Sequence, residues 1–231
     1  MKASTSKSAD MAARKPQTAP LRIGIMGGSF DPVHYGHLRL IRLARRRFAL
    51  DRVYLLPARR PWHKRAPMAD FDHRFAMLAL AVVGWDWALP AALPDWRRPT
   101  YTWDELAWTR QRHPEAQVFF LLGADAFRDL PHWHHFPQLL DRCDWIVAHR
   151  GQASLNSSII PANRLREVWH GGLRLRRSRV WWLPRFHQPF SSRRLRRLLA
   201  QAHPAAEIRQ AMPARVVEYA VRARLYRAKN R

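Results

Sequence analysis

Two histidines three residues apart, His34 and His37, close the run Gly27-Gly28-Ser29-Phe30-Asp31-Pro32-Val33-His34-Tyr35-Gly36-His37, and the order of these residues points to chemistry on a phosphate. Adjacent glycines let a backbone approach an anion closely. A helix start adds unpaired N–H groups and the positive end of a dipole. Side chains three apart project from one face of a first helical turn, so both imidazoles can address the same anion. A Gly-Gly pair alone is usually a turn, and a His-x-x-His pair alone can be a metal site or two surface side chains. Zinc would want further Cys, His or carboxylate ligands. The neighbourhood supplies no obvious ones, so no metal-ligating set is expected.

The elements that must position these residues follow from apolar periodicity. Leu21 to Met26 reads as a buried strand and Leu38 to Leu50 as a helix, placing the glycines and histidines at a strand-to-helix junction. Strands are expected at Arg52 to Pro57, Val118 to Leu122, Cys143 to Ala148 and Arg179 to Leu183. Helices are expected at Phe71 to Val83 and Thr102 to Gln111. Strands alternating with helices imply βαβ units and a mainly parallel α/β sheet covered on both faces, with ligands at the carboxyl ends of its strands. From Phe190 onward the chain reads as helical. Ser191 or Ser192 caps Arg193 to Gln201, Pro204 opens a short helix, and Pro213 opens a last one through Tyr226. Gln152 to Gly172 is the least regular stretch and reads as a surface insertion. The expected organisation is a disordered leader over 1–20, a main domain over 21–189 and a helical portion of it over 190–231. Translation from Met11 is compatible with that division.

Composition narrows the class. A chain of 231 residues suits one α/β domain and can bury a core. Its one cysteine, Cys143, allows no internal disulfide and suggests a reducing cytoplasm. No apolar run has the length of a membrane span, and the leader lacks the apolar core of a secretory signal. The formal charge is +24, and removing the four basic and one acidic residues of the first twenty leaves +21. Between Arg164 and Arg197 stand eleven arginines and one glutamate. Such a surface attracts polyanions in general, yet arginine is also common at solvated positions, so charge alone sets no function.

With these residues in view, the chain resembles the bacterial nicotinate-nucleotide adenylyltransferases, within the nucleotidyltransferase superfamily that carries an H-x-G-H motif. The resemblance runs from about Leu21 to Tyr226. Gly27 to His37 matches the family's G-G-[ST]-F-D-P-x-H-x-G-H signature in full. Pro61-Trp62-His63-Lys64 stands where Pro-Pro-His-Lys is usual. His73-Arg74 with Met77-Leu78 matches a His-Arg…Met-Leu helix, and Thr100 to Leu106 resembles S-Y-T-x-D-T-L. Leu122-Gly123-Ala124-Asp125 with Leu130, Trp133 and Leu139 resembles the G-x-D…L…W block. Phe190 to Arg196 fits I-S-S-T-x-I-R, with Arg193 in place of threonine.

The resemblance implies a Rossmann-like, doubly wound fold with a small C-terminal helical subdomain. It also implies transfer of AMP from ATP to nicotinate mononucleotide with Mg²⁺, giving deamido-NAD and pyrophosphate. On that basis Gly27, Gly28, Ser29 and Phe30 cradle the phosphates. His34 and His37 are the catalytic pair, stabilising charge on the departing pyrophosphate. Lys64 is a further phosphate ligand, and Ser191, Ser192 and Arg196 grip the β- and γ-phosphates from a second helix start. Trp133 stacks on the pyridine ring, backbone amides around Thr102 and His134 bind its carboxylate, and Gly123 and Asp125 contact the same substrate. His132, His134 and His135 resemble a metal tract, but lack a Cys or carboxylate partner.

Within the enzyme class the alternatives are phosphopantetheine adenylyltransferase, ranked second, nicotinamide-nucleotide adenylyltransferase and a cytidylyltransferase, which differ in the acceptor pocket. From another class, the basic surface admits an RNA-binding module, which predicts steeply salt-dependent RNA binding and no ATP chemistry. No membrane and no specific nucleic-acid partner is expected, while incidental RNA binding by an active enzyme is compatible with the charge. The oligomeric state has no signature in the sequence.

Overall fold

A computed structural model of the chain describes residues 19–59, 69–94, 100–149, 157–169, 171–183, 186, 190–200 and 206–227. Residues 1–18 of the expected leader, Lys64, Pro204 and part of the 152–172 stretch lie outside the described residues. Among the described residues, eight strands form one sheet in the order β3-β2-β1-β4-β5-β8-β7-β6. They are β1 (Arg22–Gly28), β2 (Arg52–Pro57), β3 (Ala88–Pro90), β4 (Gln117–Gly123), β5 (Asp144–Ala148), β6 (Leu165–Trp169), β7 (Gly172–Leu175) and β8 (Arg179–Leu183). The first six in that order pair in parallel, and at one edge β7 runs the opposite way, pairing antiparallel with both β8 and β6.

From β1 the chain builds outward through β2 and β3, then returns to the other flank of β1 with β4. The order therefore reverses between β1 and β4, and a crevice opens there at the carboxyl ends of the strands. Alternate residues of these strands feed opposite faces. Ile23 and Ile25 of β1 join Val118, Phe120 and Leu122 of β4 in one core. Met26, Phe119 and Leu121 join the other. Helices α1 (Tyr35–Phe48) and α2 (Phe71–Ala81) cover the latter face, and α3 (Thr102–Arg112) and α4 (Ala124–Arg128) the former. The C-terminal helices α5 (Ser192–Leu199), α6 (Ala206–Ala211) and α7 (Ala214–Arg222) bury Leu195, Ile208, Val216 and Ala220 in the same core as α1.

Five elements depart from the sequence reading: α1, β3, α4, β6 and β7. Helix α1 starts at Tyr35 rather than Leu38, because His34 caps it. The short strand β3 has only three residues and no apolar alternation to announce it. Helix α4 is a single turn after β4. The stretch expected as an irregular insertion contributes β6, which pairs with β7 as an antiparallel hairpin on the sheet edge.

Candidate active site

At the carboxyl end of β1 the chain turns through Phe30, buried and at φ 46°, into α1. His34 occupies the cap position with extended backbone, φ −148° and ψ 169°. Its Nδ1 accepts the Gly36 amide at 3.1 Å, and Nδ1 of His37 accepts the His34 amide at 3.2 Å. These are reciprocal bonds of the capping-box kind, made here by two imidazoles. Because each Nδ1 is an acceptor, each neutral ring carries its proton on Nε2. The rings lie 3.9 Å apart with a 35° tilt, and Phe30 packs 5.1 Å from His37. Burial lowers the pKa of His34 to about 4, so at neutral pH it is an uncharged N–H donor.

A buried network fixes this loop. Arg74 of α2, 1% exposed, donates from Nε to the Ala69 carbonyl (3.0 Å), from Nη1 to the Ser29 carbonyl (2.8 Å) and from Nη2 to the Arg59 carbonyl (3.3 Å). Asp31, equally buried, accepts the Tyr226 hydroxyl at 2.7 Å. Desolvation, followed by the neighbouring Asp31 charge, pushes the Tyr226 hydroxyl far up and keeps it a donor. Arg196 donates to the Asp31 carbonyl at 2.7 Å, and Ser192 donates to the Pro32 carbonyl at 3.0 Å. Ser191 caps α5, accepting the Arg194 amide. The expected phosphate grip of Ser191, Ser192 and Arg196 thus stands beside the cradle, with Ser192 and Arg196 bonded to its loop backbone. Arg193 is exposed.

Across the crevice lies a cavity of about 170 Å³ whose lining includes Gly27, Gly28, Thr102, Glu105, Gly123 and Trp133. Trp133 is half-buried, edge-on to Phe120 at 6.2 Å, and its buried indole N–H has no hydrogen-bond partner among the described residues. Asp125 and His134 are exposed and not among the described lining residues. Asp125 pairs with Arg128, and His134 stacks on Tyr101 at 4.3 Å.

Glu105 is the site residue that the sequence reading passed over. It is 3% exposed, and a Cβ built on Gly27 would sit 2.5 Å from both of its carboxylate oxygens. Only glycine allows this approach. Thr102, Glu105, Leu106 and Thr109 follow helical spacing with the last three buried, which is the signal that could have found it. Desolvation raises its pKa from 4.5 to about 8, partly opposed by a hydrogen bond from Thr102.

That shift has a measurable consequence. The folded protein retains on Glu105 a proton that the unfolded chain gives up, so its stabilising contribution is full below pH 4.5 and is lost as pH rises through about 8. His34 acts in the opposite sense, losing its contribution as pH falls from 6.5 through about 4. Above pH 6.5 the Glu105 slope stands alone of these two. Glu105→Gln, which keeps the size and cannot ionise, is expected to gain in urea midpoint over the parent between pH 6.5 and 8. Parallel pH profiles of the two proteins would contradict a buried neutral acid.

A parallel sheet with a histidine-capped helix after β1, and a cavity lined by the same turn's glycines at the switch point, is the setting of a nucleotidyltransferase-class site. The family model of the cytidylyltransferase-like proteins matches residues 25–198, from within β1 into α5, and the chain belongs to that family. A "Probable nicotinate-nucleotide adenylyltransferase" of Aeromonas hydrophila is 34% identical over 217 residues, covering 89% of this chain and 97% of the relative. That match places the chain among the nicotinate-nucleotide adenylyltransferases. The protein of the same description from Gloeobacter violaceus is 42% identical over 132 residues, which span 56% of this chain and 64% of the relative's length. The fold is shared with a solved structure described as Plasmodium falciparum nicotinic acid mononucleotide adenylyltransferase complexed with NaAD. There the TM-score is 0.69 and the identity 20%, over 89% of this chain and 97% of the other.

Proposed function

We propose that the protein transfers AMP from ATP to nicotinate mononucleotide, releasing pyrophosphate and deamido-NAD as a step of NAD biosynthesis. The observation that carries this reading is the pairing, across the β1/β4 switch point, of the imidazole cradle with the cavity holding Trp133 and Thr102. An oxygen of the mononucleotide phosphate attacks the α-phosphorus of ATP in line, and the bond from that phosphorus to the bridging oxygen of pyrophosphate breaks. No enzyme nucleophile is required, which suits a site built from amides and imidazoles. Amides of Gly27, Gly28 and Ser29 orient the phosphates. The Nε2–H groups of His34 and His37 donate to oxygens on which charge grows as pyrophosphate departs.

A magnesium ion neutralises phosphate charge when it arrives with ATP. Among the described residues no three His, Cys, Asp or Glu side chains converge to hold a metal. Asp31 is engaged by Tyr226, and burial keeps Glu105 protonated. This donor set fits an ion carried mainly by the nucleotide's own oxygens and by water. Among the described residues no helix is long and apolar enough to cross a membrane. The proposed setting is the cytoplasm.

In the acceptor pocket Trp133 stacks on the pyridine ring, and amides near Thr102 and His134 take its carboxylate. Such N–H donors pair more strongly with a carboxylate than with the neutral amide of nicotinamide. Gly123, which lines the cavity, and Asp125, exposed outside its lining, contact the same substrate. Purified protein with ATP, Mg²⁺ and nicotinate mononucleotide, nicotinamide mononucleotide or phosphopantetheine is expected to release pyrophosphate fastest with the first. Faster turnover on either other acceptor would contradict the reading. Trp133→Ala is expected chiefly to raise the KM for the mononucleotide, leaving kcat within a few-fold. An unchanged KM would make Trp133 a packing residue.

A further inference from the structure

Beside the acceptor pocket, one face of the molecule joins a series of partly exposed rings to a cluster of arginines. Tyr101 stacks on His134 at 4.3 Å with an 18° tilt, His134 lies 4.0 Å from His135, and His135 lies 4.4 Å from Trp103. The guanidinium of Arg142 then covers Trp103 at 4.0 Å. Arg142 opens into a cleft of about 590 Å³ lined also by Arg110, Arg164, Arg176, Arg177 and Asp141. Five guanidinium groups meet one carboxylate there, and that carboxylate is paired with Arg164. Trp103 and Arg110 are seven apart on α3, so one face of this helix carries both the ring and the cation.

The cleft is not an extension of the catalytic crevice. Arg142 precedes β5, and Arg176 and Arg177 precede β8, so the cleft lies at the amino ends of these strands. The cradle lies at the carboxyl end of β1. The five residues of β5 separate the two ends by roughly 16 Å at about 3.3 Å per residue.

We propose that this face binds single-stranded nucleic acid, bases stacking against the exposed His134 and His135 of the ring series and phosphates entering the arginine cleft. A small phosphate would use the cations and leave the rings idle, whereas a single strand uses both. A groove of arginines with aromatic platforms tracks a backbone and tolerates any base sequence. Duplexes hide their base faces and cannot use the rings.

The test is fluorescence anisotropy with a labelled twelve-nucleotide oligouridylate over a range of salt. Arg176→Glu/Arg177→Glu alters two exposed side chains of the cleft, and Arg209→Glu/Arg215→Glu makes the same charge change on exposed positions of α6 and α7. The cleft variant is expected to bind at least about tenfold more weakly, and its plot of log affinity against log salt to be shallower by about 1.4, two phosphate contacts at about 0.7 each. The α6/α7 variant is expected to stay within about threefold of the parent. Both are expected to keep parental AMP-transfer rates, which shows that they are folded and separates this test from that of the catalytic reading. Equal weakening in the two variants would reduce the effect to overall charge and overturn the site. Inorganic polyphosphate competing as tightly as oligouridylate at equal phosphate concentration would overturn the role of the rings.

Discussion

His37→Ala is expected to lower the rate of AMP transfer by about two to three orders of magnitude, as for loss of one donor to a transition-state oxyanion. The side chain has two tasks in the structure. Its Nδ1 accepts the His34 amide at 3.2 Å, and the same bond fixes the proton on Nε2, where it can be donated to a phosphate oxygen. Loss of the first task costs about 1 kcal/mol of helix capping, too little to unfold a domain whose core is otherwise intact. Loss of the second falls on the chemical step. Single-turnover measurements at saturating ATP, with thermal unfolding of the same preparation, separate the two. A variant that turns over near the parental rate would remove His37 from catalysis.

Arg74→Ala is expected to have the largest effect on stability. The guanidinium is buried and donates to three carbonyls, those of Ala69, Ser29 and Arg59. Deletion leaves the buried Ala69 carbonyl and the part-buried Ser29 and Arg59 carbonyls without their donor, beside a cavity. Hydrogen bonds to charged groups contribute about 1.5–3 kcal/mol each, so a loss of at least about 3 kcal/mol is expected in urea unfolding. Because Ser29 belongs to the proposed phosphate cradle, affinity for ATP is expected to fall as well. Arg74→Lys offers one compact ammonium for three divergent acceptors and is expected to recover only part of either quantity. A loss under about 1 kcal/mol for Arg74→Ala would show that the loop holds itself.

These two residues also show what could be read in the sequence. His34 and His37 declared themselves, because glycines, histidines and a strand-to-helix change lie within eleven consecutive positions. The strands β2 and β8 were legible to the residue, since apolar runs bounded by charge mark buried parallel strands. Arg74, Asp31 and Tyr226 were not legible as a network. Tyr226 reaches Asp31 across 195 positions, and no local pattern encodes such a contact. Glu105 was hidden for a different reason. A glutamate in the first turn of a helix ordinarily favours the dipole and faces water, and its inward position follows from the missing side chain of Gly27. The reading of α1 began one turn late because histidine is an uncommon cap. Asp125 and His134 were placed by family position alone, and both stand exposed outside the described cavity lining.

On this reading the amides after β1 and the two imidazoles hold the phosphate tail of ATP beside the Trp133 cavity. A crystal structure with a non-hydrolysable ATP analogue and nicotinate mononucleotide tests it most directly. The expected result is β- and γ-phosphate oxygens at hydrogen-bond distance from Nε2 of His34 and His37, with the pyridine ring against Trp133. Phosphates bound elsewhere, with both imidazoles turned from the nucleotide, would contradict it.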